Sequence, residues 1–186
     1  MASIIDSYPE SNFSGHGYGI SGHISCWNTV GQSFTANGKK ITSAKFYLSK
    51  SGPVTGNCYA KVYAHTGTWG VNGRGTGAAL AVSGAVPVSS IGYGLVTFNF
   101  SGINQIELSD KVIYVIAFEY TVDIGGGNYI VAYVDLTSPT HTGNLCYKET
   151  NWGVLFPIVA DLLFYVYSDD VVIARKAKNP FKPIFY

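Results

Sequence analysis

The apolar residues of this chain recur with a period of two over much of its length, the spacing at which side chains of a β-strand return to the same face. In KVIYVIAFEYT (111–121), Val112, Tyr114, Ile116, Phe118 and Tyr120 fall on one face and Ile113, Val115, Ala117 and Glu119 on the other. That pattern predicts a strand buried on both sides. NCYAKVYAH (57–65) alternates more cleanly, with Cys58, Ala60, Val62 and Ala64 toward a core and Tyr59, Lys61, Tyr63 and His65 toward a wetter face. The same reading gives strands over 30–36, 41–49, 78–88, 94–100, 105–108, 128–135, 144–149 and 161–168, each bounded by turn-forming residues. No long segment repeats its apolar positions at the helical period. About nine short strands with turns between them predict an all-β fold, an antiparallel β-sandwich of jelly-roll type.

Around these strands the chain divides into three parts. Residues 1–29 read as an N-terminal strand and a glycine-rich segment packing on the sandwich, 30–168 as the sandwich itself, and 169–186 as an extended C-terminal arm. The stretch HTGTWGVNGRGTG (65–77) has no periodicity and predicts a mobile or partner-ordered loop, whereas DIGGGN (123–128) predicts a hairpin connection. Two prolines in PFKP bar regular structure near the C-terminus.

Charge and composition narrow the partners. Charged residues are 12% of the 186, and there are 14 tyrosines, so the surface is thinly charged and rich in rings suited to recognition. All acids lie at or before Asp170, and Arg175, Lys176, Lys178 and Lys182 follow it, giving a mildly acidic body and a basic tail. Four cations without a wider basic face argue against nucleic acid as a partner. Arg175, Lys176, Lys178, Phe181, Ile184, Phe185 and Tyr186 are the candidate subunit contacts, on a copy of this chain or another surface subunit. Three cysteines allow at most one disulfide. The start MASIIDSYPE lacks the pattern of a signal peptide, and no segment has the apolar length of a membrane span.

VGQSFTANGKKITSAKFYLSKSGPVTGNCYAKVYAHTGTWG, followed by GAALAVSGAVPVSS, LVTFNFSG, YVIAFEY, SPTHTGNLCY and DLLFYVYS, resembles a jelly-roll β-sandwich module of bacterial and phage surface proteins, similar to carbohydrate-binding modules. The resemblance spans roughly Ile4 to Ser168 and leaves the tail outside. It implies fold more than activity, since such modules serve on enzymes, adhesins, tail fibres and virion shells.

Several constellations carry candidate chemistry. Trp69, Arg74, Tyr93 and Trp152 lie in or beside glycine-rich loops and are the candidate glycan contacts, because rings stack on pyranose faces while polar side chains bond hydroxyls. His16, His23 and Cys26 are transition-metal candidates, with a fourth ligand to come from His65, His141 or Asp6. Asp6 and Asp161 are candidates for a structural calcium, and no other cofactor is expected. Ser25 or Cys26 with a histidine, and Glu119 with Asp135, are the nearest approaches to catalytic groups, but neither completes a set of roles. The expectation is a non-enzymatic structural or decoration protein of a phage virion or extracellular assembly, homo-oligomeric through its arm. The alternative is a carbohydrate-binding module or receptor-binding adhesin domain using loop aromatics.

Overall fold

Alternating residues can bury one face only if strands stack in layers, and two antiparallel sheets do so here. The computed structural model describes residues 2–23, 26–123, 125, 127–154 and 160–169. The candidate contacts from Arg175 to Tyr186, and Ser25, lie outside the described residues. Along the chain come β1 (Ala2–Tyr8), β2 (His16–Ile20), β3 (Thr29–Thr35), β4 (Ile41–Ser51), β5 (Asn57–Thr66), β6 (Arg74–Val82) and β7 (Val86–Pro87). There follow β8 (Gly94–Asn99), β9 (Ile113–Glu119), β10 (Tyr129–Asp135), β11 (Leu145–Lys148), β12 (Trp152–Val154), β13 (Asp161–Leu162) and β14 (Phe164–Asp169).

Sheet A is built about β4, the longest strand. β8 runs along one side of it, and the other side is shared, β14 pairing with its first half and β10 with its second. β1 flanks β14, and β2 and β13 flank β10. Sheet B has the order β12-β11-β3-β9-β5-β6, with β7 against the start of β5. Between the sheets, Phe46 and Phe98 of sheet A meet Phe118 of sheet B with ring centroids 5.8 to 6.0 Å apart, the edge-to-face and tilted geometries that aromatic quadrupoles favour.

The expectation for 111–121 holds over β9. Ile116 and Phe118 enter the main core, whereas Val115 and Ala117 enter a second, smaller cluster with Tyr63 and Cys146. That cluster exists because sheet B curls until β6 touches β11, β12 and β3, none of them its ladder neighbours. The face of β5 expected to be wet is therefore covered at Tyr63, which is 3% exposed. Burial, with Glu119 nearby, raises the Tyr63 phenol well above its ordinary range.

Elsewhere the strands differ from the sequence expectation. Fourteen strand segments occur among the described residues, several of only two or three residues, against about nine expected. Residues 78–88 divide at Ser83, whose hydroxyl replaces a backbone acceptor for the Ala60 N–H and itself donates to the Gly84 carbonyl. Within 105–108 only an isolated bridge between Lys40 and Glu107 forms. The stretch 65–77 is mostly hairpin: Arg74, Gly75 and Thr76 pair with β5, and the turn between is closed by its own bonds, Thr68 N–H to the Asn72 side chain at 2.6 Å and Asn72 N–H to the Thr68 carbonyl at 3.0 Å. The N-terminal segment supplies two full strands, both to sheet A.

Candidate functional site

The outward face of sheet A is where alternation concentrates rings. β4 turns Ala44, Phe46 and Leu48 inward, so Ser43, Lys45, Tyr47 and Ser49 point out. By the same alternation β14 presents Tyr165 and Tyr167, β10 presents Tyr129, Val131 and Tyr133, and β8 presents Leu95, Thr97 and Asn99. Register sets these in rows across the sheet: Ile4, Tyr167, Ser43 and Asn99 in one, and Ser7, Tyr165, Lys45 and Thr97 in the next. Beyond them Tyr47 stands opposite Leu95, and its ring lies 5.4 Å from that of Tyr133. Phe13 and Tyr93 close on the same rings from the flanking loops, at 5.0 to 5.8 Å.

Short polar side chains stand between the rings. Ser49 Oγ and the Tyr133 hydroxyl are 2.9 Å apart. Tyr165 donates its hydroxyl proton to Glu10 Oε2 at 2.6 Å, and this bond holds the Glu10 carboxyl below its usual range. Lys45 Nζ lies 5.2 Å from the centroid of the Tyr167 ring, a cation–π distance. Burial, then Glu10, pushes the Tyr165 phenol up to about 12, and the Tyr93 hydroxyl with burial does the same to Tyr47. Both phenols therefore remain protonated donors at neutral pH.

At the β2 end the face sinks into a recess of about 340 Å³ lined by Tyr18, Cys26, Trp27, Tyr129 and Val131 over Gly17 and Gly19. Glycine is needed here because a Cβ on Gly19 would stand 3.0 Å from the Tyr129 ring, and one on Gly17 2.5 Å from a Val131 methyl. Trp27 is held from behind by Tyr147, stacked at 4.3 Å and 12°.

The four loop residues expected to hold a glycan are not brought together. Tyr93 joins the sheet A face and is 64% exposed. Trp69, Arg74 and Trp152 lie about the β5–β6 hairpin and sheet B. Trp69 sits 6.4 Å from His65 and 6.3 Å from His141, Arg74 donates to the Asn72 carbonyl, and Trp152 packs edge-on against Tyr63 at 5.0 Å. Sequence reasoning passed over Tyr47, Tyr129, Tyr133, Tyr165 and Tyr167, although each occupies an outward position of an alternating strand.

The candidate metal ligands Asp6 and Asp161 take part in a hydrogen-bond network. Among the described residues no three His, Cys, Asp or Glu side chains are grouped so as to hold a metal ion, and His16, His23 and Cys26 are no exception. Asp6 and Asp161 converge on His141 and on N–H donors. Asp161 accepts the His141 N–H and the Gln32 amide, each at 2.8 Å, and Asp6 accepts the backbone N–H groups of Ser7 and Thr35 and faces His141 Nε2 at 3.3 Å. His141 Nδ1 meets two donors, Gln32 Nε2 and the Gly143 N–H, both at 3.1 Å. That pattern assigns the ring proton to Nε2, directed at Asp6.

The nearest catalytic groups are committed elsewhere. Glu119 pairs with Lys61 on sheet B. Asp135 accepts the Tyr8 hydroxyl at 2.8 Å on sheet A; burial alone would raise its carboxyl, but bonds from Thr137, Tyr8 and Ser138 outweigh that and lower it. Cys58 and Cys146 are buried free thiols, pushed up to about 12 by desolvation, and Cys26 is free and half-buried. None of three comparisons, with family models, with curated proteins and with solved structures, gives a match for this chain.

One group near Trp69 is sensitive to pH. His65 Nε2 is buried without a hydrogen-bond partner among the described residues, and desolvation lowers the ring's pKa. With the folded value below the unfolded value of about 6.5, the stability tied to neutral His65 is complete above that pH and is lost as pH falls toward the folded value. The melting temperature should therefore drop between about pH 7.5 and 5.5, and His65→Phe should flatten part of that drop. Equal pH dependence in both proteins would contradict this.

Proposed function

We propose that this chain is a non-enzymatic jelly-roll protein of a virion or cell-surface assembly, and that the tyrosine face of sheet A holds a neutral glycan. The carrying observation is the field of outward tyrosines in adjacent rows, interleaved with Ser43, Ser49, Thr97 and Asn99. Rings offer apolar area to the C–H face of a pyranose, and protonated phenols, hydroxyls and amides bond its hydroxyl groups. A neutral ligand fits best because Glu10 is engaged by Tyr165 and Lys45 lies over Tyr167, leaving little free charge between the rings. The pairing of β1 with β14, the first and last strands, supports the jelly-roll form of the sandwich. The thin surface charge and the basic, aromatic tail support assembly.

Two measurements test the two halves of this reading. The full chain, presented to a panel of neutral and acidic glycans, should bind members of the neutral class saturably; binding to none of them removes the glycan reading. Light scattering should show an oligomer that loses mass when residues 170–186 are deleted. A monomer unchanged by that deletion removes the assembly reading. Among the described residues no helix is long and apolar enough to cross a membrane.

A further inference from the structure

We propose that the open cavity between β1 and the turn at residues 140–142 is a second carbohydrate site, one that takes a single neutral hexose-sized polyol. It has a volume of about 540 Å³ and none of the outward tyrosines of sheet A lines it, so it does not depend on the ligand assigned to them.

Its lining contains polar groups that no described part of the protein engages. The Thr35 and Thr142 hydroxyls and the Asn12 amide have no hydrogen-bond partner among the described residues. Three uncommitted groups along one cavity offer bonds to the hydroxyls of a hexose, whereas an apolar ligand would displace their water and replace none of those bonds. Ile5 supplies apolar area for the C–H face.

The charged part of the wall is held rigid from behind. Asp6 Oδ1 accepts the Ser7 N–H at 2.8 Å and faces His141 Nε2, while Oδ2 receives only the Thr35 N–H at 3.3 Å and keeps capacity for a ligand hydroxyl. His141 cannot rotate freely, because Gln32 and Gly143 hold its other ring nitrogen and Gln32 is itself fixed by Asp161 and the Leu162 N–H. Such support lets a small site bind without reorganising its own side chains. Asp6 is the one carboxylate lining the cavity, so the wall repels anions, and a single carboxylate already bonded to N–H groups is a poor calcium ligand set.

The test is an amide NMR titration of the full chain with the methyl α-pyranosides of glucose, galactose and mannose, with calcium chloride as a separate arm. At least one pyranoside should move the amides of Asn12, Thr35 and residues 140–142 saturably, with a dissociation constant on the order of 1 mM. Asn12→Ala and Thr35→Val should each weaken that binding about tenfold, while Ile103→Ala, at an exposed residue that does not line the cavity, leaves it unchanged. The proposal is overturned by the absence of saturable shifts at these amides with all three sugars. Shifts indifferent to both substitutions, loss of binding in Ile103→Ala, or a response to calcium alone would overturn it equally.

Discussion

Gln32→Leu should destabilise the fold by about 3 kcal/mol or more, a large share of the roughly 5–15 kcal/mol available to a domain. Gln32 is completely buried in the middle of β3, yet its side chain makes three bonds that span the sandwich. Its amide nitrogen donates to Asp161 Oδ1 at 2.8 Å and to His141 Nδ1 at 3.1 Å, and its oxygen accepts the Leu162 N–H at 3.0 Å. Leucine fills the space but strands a backbone donor and a carboxylate oxygen in the interior, and the loss of a buried partner costs more than the bond contributes when made. The urea midpoint should fall by about 1–3 M with the slope unchanged.

The pH dependence of that loss is also determined. Burial raises the Asp161 carboxyl above its ordinary value, so the stability linked to its protonation is present below the unfolded pKa and lost as pH rises through the folded one. Removing the Gln32 donor raises it further. The variant should therefore recover part of its deficit near pH ~4, where a protonated Asp161 no longer carries an uncompensated charge. A deficit below about 1 kcal/mol, or one that grows in acid, would show that the network is not what ties β3 to β13.

How much of this was legible depends on what a residue's neighbours in the chain can reveal. β4, β5 and β10 alternate inward aliphatic with outward polar or tyrosine positions, and β9 is apolar on both faces, so their existence follows from period and composition alone. β2 does not, because in HGYGI the outward positions are glycines, which have no side chain to mark a face; their reason is Tyr129 and Val131 on another strand. The role of Gln32 was invisible for a similar reason. Alternation places Gln32 on the face of Val30 and Phe34, but only the arrival of Asp161, 129 residues away, shows what its amide bonds in the core. Trp69 and Trp152 drew attention as loop aromatics, whereas the rings of the candidate site lie on strands. Each outward tyrosine was readable from its own strand. That β4 lies between β8 on one side and β14 and β10 on the other was not, and strand order is what turns separate tyrosines into one surface.

Tyr47→Ala should reduce glycan binding by at least about tenfold, the largest effect expected of any substitution on the face. Its ring touches those of Phe13, Tyr93 and Tyr133, so removing it deletes one stacking platform and frees three others from fixed positions. Tyr165→Phe provides the contrasting case. It keeps a ring beside Tyr167 and loses only the hydroxyl that holds Glu10 at 2.6 Å. The released Glu10 carboxylate would face the ligand as a free charge, so neutral glycans should bind about as before while acidic ones bind more weakly. Because Tyr47 points away from the core, the alanine variant should melt within a few degrees of the parent, which separates lost recognition from lost fold. If Tyr47→Ala binds neutral glycans as tightly as the parent while remaining folded, the tyrosine rows are not the recognition surface.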